Sequence, residues 1–201
     1  MQTFLPSPDF ATCGKVLDKV RLSKQLVETQ QITNCILDGG AWQNHPAVRM
    51  WADYLPALGS YQTALFEQWV ARGGSDTHKS YHKTMERIGS HDPASIVQPH
   101  WLGDEPFHAS HRSRLLLKGL LDTARRRIRD LGAKPDDYCK TFFESPRKLF
   151  LRDLTVAQVT RLHNHFNDMG VNHYDNYYEQ FFWSESASDT YVWPVELYTN
   201  Q

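Results

Sequence analysis

One predicted helix, Val16 to Leu37, constrains this chain most, because it lines up Asp18, Arg21, Lys24, Gln25 and Glu28 on one side. At about 100° per residue these side chains, with Gln31, fall within an arc of roughly 140°. Val20 and Val27 border that arc on one flank, Leu22 and Leu26 on the other. A polar stripe with apolar shoulders faces a cleft or a buried network more readily than open water. It is therefore a candidate site. The alternative is a surface helix with ordinary charge pairs such as Lys24 and Glu28 at i, i+4.

The rest of the pattern is also helical. Asp38-Gly39-Gly40 is a stop signal, and His45-Pro46 opens a second apolar-periodic stretch through Val48, Met50 and Trp51. Leu58 to Val70 reads as a third helix ending at Arg72-Gly73-Gly74. Ser75 to Glu105 mixes a short helix with loop. Ser110 to Leu131 and Thr155 to Met169 read as further helices, and the tail from Asn172 to Tyr198 is aromatic and turn-rich. Period-2 alternation is scarce, so the expected fold is all-α, a single domain over 1–201 with a helical elaboration at about 119–185.

With 201 residues the chain is long enough to bury a sizeable core. No apolar run is long enough to span a bilayer, and the start lacks a basic leader and an apolar signal core. Cys13, Cys35 and Cys139 are odd in number and widely spaced, which argues against a disulfide framework or a thiolate zinc site. A cytoplasmic monomer is expected. The formal net charge is -1, but residues 111–152 hold 12 Lys/Arg against 5 Asp/Glu, leaving 10 against 18 elsewhere. Such an asymmetry presents a basic face to phosphates while the molecule stays near neutral.

Several chemistries lack support. The ten histidines include His163 and His165, which diverge on a helix, and His108 and His111, which have no nearby carboxylate or thiol in a metal motif. No metal and no cofactor is expected. Glycine-rich phosphate loops and nucleophile elbows are absent. Carboxylate, amide, imidazole and aromatic chemistry is left. Trp42, Asn44, His45 and Trp51 cluster near a helix start. Trp101 to Arg114 places His108, Ser110, His111, Arg112 and Ser113 in the first turns of the basic helix, a set suited to phosphates. Taken alone, Trp42 and Trp51 are of a kind more often found in a core than as base-stacking platforms.

Taken together these segments resemble the pyrimidine-dimer DNA glycosylase family, the endonuclease V type of phage repair enzyme, and in particular a bacterial branch beginning Met-Gln-Thr-Phe-Leu-Pro. The matching residues are Leu17-Asp18, Arg21-Leu22, Lys24-Gln25 and Glu28, the Trp42 to Trp51 and Trp101 to Leu115 blocks, and Tyr191-Val192-Trp193-Pro194. The resemblance implies an all-α enzyme that flips a nucleotide from double-stranded DNA, with an N-terminal threonine amine attacking C1′ and an early-helix glutamate assisting. Glu28 matches that glutamate, with Asp18 as the alternative carboxylate. This chain departs at the terminus: Gln2 is bulky, Met1 is expected to stay, and no small residue offers its amine. Base hydrolysis by water, without strand-nicking lyase activity, is the expectation that follows.

The reading is a DNA N-glycosylase acting on a damaged or modified pyrimidine, bulky or phage-derived bases included, to leave an abasic site. Glu28 or Asp18 would oppose the charge that builds on the sugar, with Arg21, Lys24 and Gln25 holding that carboxylate or the DNA backbone. Asn44 and His45 would bond the departing base, and Trp42 or Trp51 would stack on it. His108, Ser110, His111, Arg112 and Ser113 would hold phosphates, and Arg125, Arg126, Arg127 and Arg129 would extend the basic face. Two other readings fit the same residues: a noncatalytic DNA-binding repair accessory and a nucleoside or nucleotide hydrolase. The Glu28 stripe favours an enzyme over the first, and the basic segment favours a polymer over the second.

Overall fold

The computed structural model describes residues 2–112, 114, 115, 118 and 191–194. The chain forms two compact units, Met1–His108 with Trp193–Gln201, and Ala109–Val192. Among the described residues there is helix and no strand, as the periodicity predicts.

In the first unit α1 spans Phe10–Val16 and α2 spans Lys19–Asp38. The expected helix from Val16 is thus broken at Leu17 and Asp18. Asp18 is the N-cap of α2, extended at φ -65° and ψ 163°, and its carboxylate accepts from the Arg21 N–H. A short acidic side chain satisfies an orphan amide there, which stabilises a helix start more than continuing α1 would. Gly39, at φ 74°, closes α2 with its N–H on the Cys35 carbonyl, a left-handed conformation that suits glycine.

His45-Pro46 opens α3, Pro46–Arg49, and α4 spans Leu55–Ala71. The predicted short helix after Ser75 is α5, Lys79–Ile88, followed by a 3-10 turn at Pro93–Ser95. Residues 105–112 are helical as well, so the basic helix begins before the expected Ser110. The helix expected at Thr155 to Met169 lies outside the described residues.

Helix α2 packs against α3, α4 and α5, while α1 lies on α4. Gly14 makes that last approach close, since a Cβ there would stand 2.8 Å from Gln68 Cγ and 3.2 Å from the Ala64 carbonyl. The core holds Leu22, Leu26 and Ile32 of α2 with Leu58, Tyr61 and Leu65 of α4. Trp51 sits among Phe10, Tyr61 and Trp101 with ring centroids 6.3, 6.0 and 5.0 Å away. Aromatic bodies of this size bury much apolar area, and the edge-on Trp51–Trp101 pair adds a quadrupole term. Gln62 links three helices from inside, its Nε2 donating to the Leu26 carbonyl of α2 and to the Ser80 carbonyl and Thr84 Oγ1 of α5.

The N-terminal arm is part of this core. Gln2, Thr3, Phe4 and Leu5 are all buried. An extended arm has no ladder of its own, so its polar groups need side-chain partners. Trp51 Nε1 donates to Thr3 Oγ1 at 3.0 Å, and His108 Nδ1 donates to the Leu5 carbonyl at 2.7 Å.

Candidate active site

The stripe on α2 divides in the structure. Gln25 is fully buried and Glu28 nearly so, its side chain 13% exposed, whereas the side chain of Lys24 is 70% exposed. The Leu22 and Leu26 shoulder is core, but Val20 and Val27 on the other flank are exposed. Only the inner half of the stripe faces protein.

Gln25 orients that inner half. Its Oε1 accepts the Phe4 N–H at 2.9 Å and lies 3.0 Å from the Tyr61 hydroxyl, and its Nε2 donates to the Gln2 carbonyl at 2.9 Å and Glu28 Oε2 at 3.2 Å. The Phe4 N–H at its oxygen and two acceptors at its nitrogen leave the amide a single orientation. Tyr61, wholly buried, also lies 2.9 Å from the Phe4 carbonyl. Burial pushes its phenol well above the usual tyrosine range, with Cys13 and Glu28 adding to the rise, so it remains a donor. The arm is thereby pinned to α2.

Glu28 receives the result of that pinning. The Gln2 N–H donates to Oε2 at 2.8 Å, and Lys24 Nζ stands 3.7 Å from Oε1. A carboxylate that accepts a backbone N–H and a buried amide keeps its position without a tight ion pair.

His45 stands in the same neighbourhood, since Glu28 acts electrostatically on its imidazole. Its Nδ1 accepts the Ala47 N–H at 3.1 Å at the start of α3, which leaves the proton of the neutral ring on Nε2. Burial lowers its pKa from 6.5, with Glu28 pulling the other way. Trp42 and Trp193 meet the ring edge-on, with centroids at 5.7 and 6.2 Å. Trp42 is 57% exposed, so it offers an open indole face, and Asn44 is exposed beside it.

The remaining expected site residues fall elsewhere. Asp18 caps α2 and pairs with the Arg21 guanidinium, so its carboxylate serves the helix start. Trp51, expected to stack on a base, is fully buried with its N–H on Thr3. His108, expected at a phosphate, is 1% exposed, and its Nε2 accepts the Gly103 N–H while Nδ1 donates to the Leu5 carbonyl.

In the second unit Ser110 and His111 are fully buried. Ser110 Oγ accepts the Val192 N–H at 3.0 Å, and Tyr191 lies 5.0 Å from the His111 ring and 5.6 Å from the Arg114 guanidinium carbon. Ser110 and His111, both expected to contact phosphates, are buried here. Arg112 is half-buried. Ser113, Arg125, Arg126, Arg127 and Arg129 lie outside the described residues.

Two members of the site were not singled out by sequence reasoning. Gln2 reaches Glu28 through its main chain, a contact no side-chain pattern reveals. Trp193 reaches His45 from far along the chain, and its only sequence signal is the aromatic Tyr-Val-Trp-Pro block. Among the described residues no group of three or more His, Cys, Asp or Glu side chains converges as a metal site, and no helix is long and apolar enough to cross a membrane.

Residues 1–86 match the family model described as pyrimidine dimer DNA glycosylase. The matched stretch contains the arm, the α2 stripe and the Trp42 to Trp51 block, the elements that assemble Glu28, Gln25 and His45. The family that these residues resemble is thus the one whose model they fit, a family described as DNA glycosylases. No curated protein and no solved structure matches the chain.

Proposed function

We propose, taking as premise a DNA glycosylase of the family that residues 1–86 match, that this protein hydrolyses the N-glycosidic bond of a damaged or modified pyrimidine and leaves an abasic site with the strand intact. The observation that carries the reading is Glu28: a nearly buried carboxylate, held by the Gln2 N–H and the Gln25 amide, with a neutral imidazole close by. Cleavage sends the C1′–N1 electron pair to the base and builds positive charge on the sugar. A fixed carboxylate lowers the energy of that oxocarbenium-like state, and it takes a proton from the water whose oxygen bonds C1′. His45 Nε2–H faces the negative charge that grows on the departing base, at a pyrimidine carbonyl oxygen. Trp42 supplies the stacking face for a nucleotide flipped out of the duplex.

This reading takes water as the nucleophile, and the Gln2 nitrogen is a peptide nitrogen whose hydrogen is engaged by Glu28. An amide has no basic lone pair with which to form an imine. The basic segment, with Arg112, Arg125, Arg126, Arg127 and Arg129, would bind phosphates of double-stranded DNA. The long stretch at 119–185 supports a bulky base as substrate, including modified bases of phage genomes, which makes defence a role alongside repair. The working form is a cytoplasmic monomer. The test is incubation with duplexes carrying a cyclobutane thymine dimer, 5-hydroxymethylcytosine, glucosylated 5-hydroxymethylcytosine or 5-hydroxymethyluracil, with separate assays for released base, abasic sites and nicks. Released base with unbroken strands supports the reading. No release from any duplex overturns it.

A further inference from the structure

Gln2 is 9% exposed, and among the described residues neither Oε1 nor Nε2 of its carboxamide has a hydrogen-bond partner. Other buried polar atoms lack partners too, among them Thr33 Oγ1, Gln62 Oε1 and His78 Nδ1, but each is a single atom of its side chain. Among these, Gln62 satisfies its amide nitrogen three times over. At Gln2 a donor and an acceptor are open together. Burying an amide without partners is unfavourable, and native interiors rarely keep such a group without a use for it.

The position of this amide gives it a use. Its own main chain is clamped from both ends, the N–H by Glu28 Oε2 at 2.8 Å and the carbonyl by Gln25 Nε2 at 2.9 Å. The carboxamide therefore lies within one side-chain length of the Glu28 carboxylate, to which the glycosylase reading gives the charge opposite C1′. An extruded pyrimidine carries neighbouring donor and acceptor atoms along its Watson–Crick edge, the pattern that a carboxamide complements with two parallel hydrogen bonds.

We propose that the Gln2 carboxamide is a base-reading group, pairing its N–H and C=O with the edge of the flipped pyrimidine while its backbone positions Glu28. The inference rests on the glycosylase reading. A buried donor and acceptor left unpaired favour a base that answers both and disfavour one that does not, because the rejected base leaves them unpaired. It also accounts for a bulky polar residue in a place where the arm is otherwise closed by Thr3, Phe4 and Leu5.

The test uses the full chain with Gln2→Met, which keeps the bulk and removes both hydrogen-bonding atoms. Wild type and variant are compared on whichever modified duplex the wild type excises best and on a duplex carrying a tetrahydrofuran abasic analogue, which has no base to read. The expected result is a loss of tenfold or more in kcat/KM, unchanged affinity for the tetrahydrofuran duplex, and a melting temperature equal to or above wild type. Unchanged kcat/KM overturns the proposal. So does a lowered melting temperature with equal weakening on both duplexes, which makes the amide a structural group. Absence of base release by the wild type itself is a different failure, that of the glycosylase reading, and it removes this inference with it.

Discussion

The backbone N–H of Gln2 donates to Glu28 Oε2 across 2.8 Å, joining the first residues of the chain to the middle of α2. The hydrogen bond makes the geometry of the carboxylate depend on how the arm is held. Arm, amide and acid act as one unit, and their substitutions should not be additive.

Glu28→Gln should reduce base release on the order of hundredfold or more while leaving folding and DNA affinity near wild type, because the amide keeps the shape and loses the charge. Single-turnover release measured beside a binding isotherm checks this. Unchanged turnover would return the role to Asp18 despite its place at the helix cap.

Gln25→Met should lower stability by about 3 kcal/mol, since the Phe4 N–H, the Gln2 carbonyl and the Glu28 carboxylate are deprived of a buried partner together. Denaturant unfolding gives the number, and hydrogen exchange at Phe4 shows whether the arm has come loose. Activity should fall with arm protection rather than with global unfolding.

His45 has its pKa lowered by burial, so its neutral form persists below the ordinary value of 6.5. An unfolded chain then binds more protons than the folded one in that range. The contribution of His45 to stability is whole above 6.5 and is lost as pH falls through 6.5 toward the depressed value. Protonation also removes the acceptor for the Ala47 N–H. The melting temperature of His45→Gln should therefore vary less than wild type over that acid range, and the acid limb of its kcat/KM profile should flatten.

Borohydride added to a reacting mixture should trap little protein on DNA, and strands should break only after alkali or heat. Efficient trapping would identify an amine nucleophile, from the chain terminus or from Lys24, and displace the water mechanism.

Neutralising Arg125, Arg126 and Arg127 should weaken binding equally for all DNA sequences, and the slope of log affinity against log salt should shrink by about one for every arginine that pairs with a phosphate. Fluorescence anisotropy across a salt series measures both. Constant affinity and slope would make the run a solvated helix surface.

What the sequence by itself determined is what neighbouring residues decide among themselves. Asp38-Gly39-Gly40 as a stop and His45-Pro46 as a new beginning depend on caps and backbone preferences within a turn or two, whereas the helix start at Asp18 emerged only in the structure. The grouping of Gln25 with Glu28 follows from the helical period, and so it too was legible. Which part of the stripe faces inward was not. Val20 and Leu22 are equally apolar on paper, yet one is exposed and the other fully buried, because only the packing of α3, α4 and α5 around α2 chooses a side. Trp51, His108, Ser110 and His111 carry chemistry that suits a binding surface, and the tertiary structure assigns them to the interior instead. The arm on Gln25 and Trp193 on His45 join distant parts of the chain, and they form when burial leaves polar groups and ring edges that must find partners. Local periodicity carries no information about which distant segment will answer them.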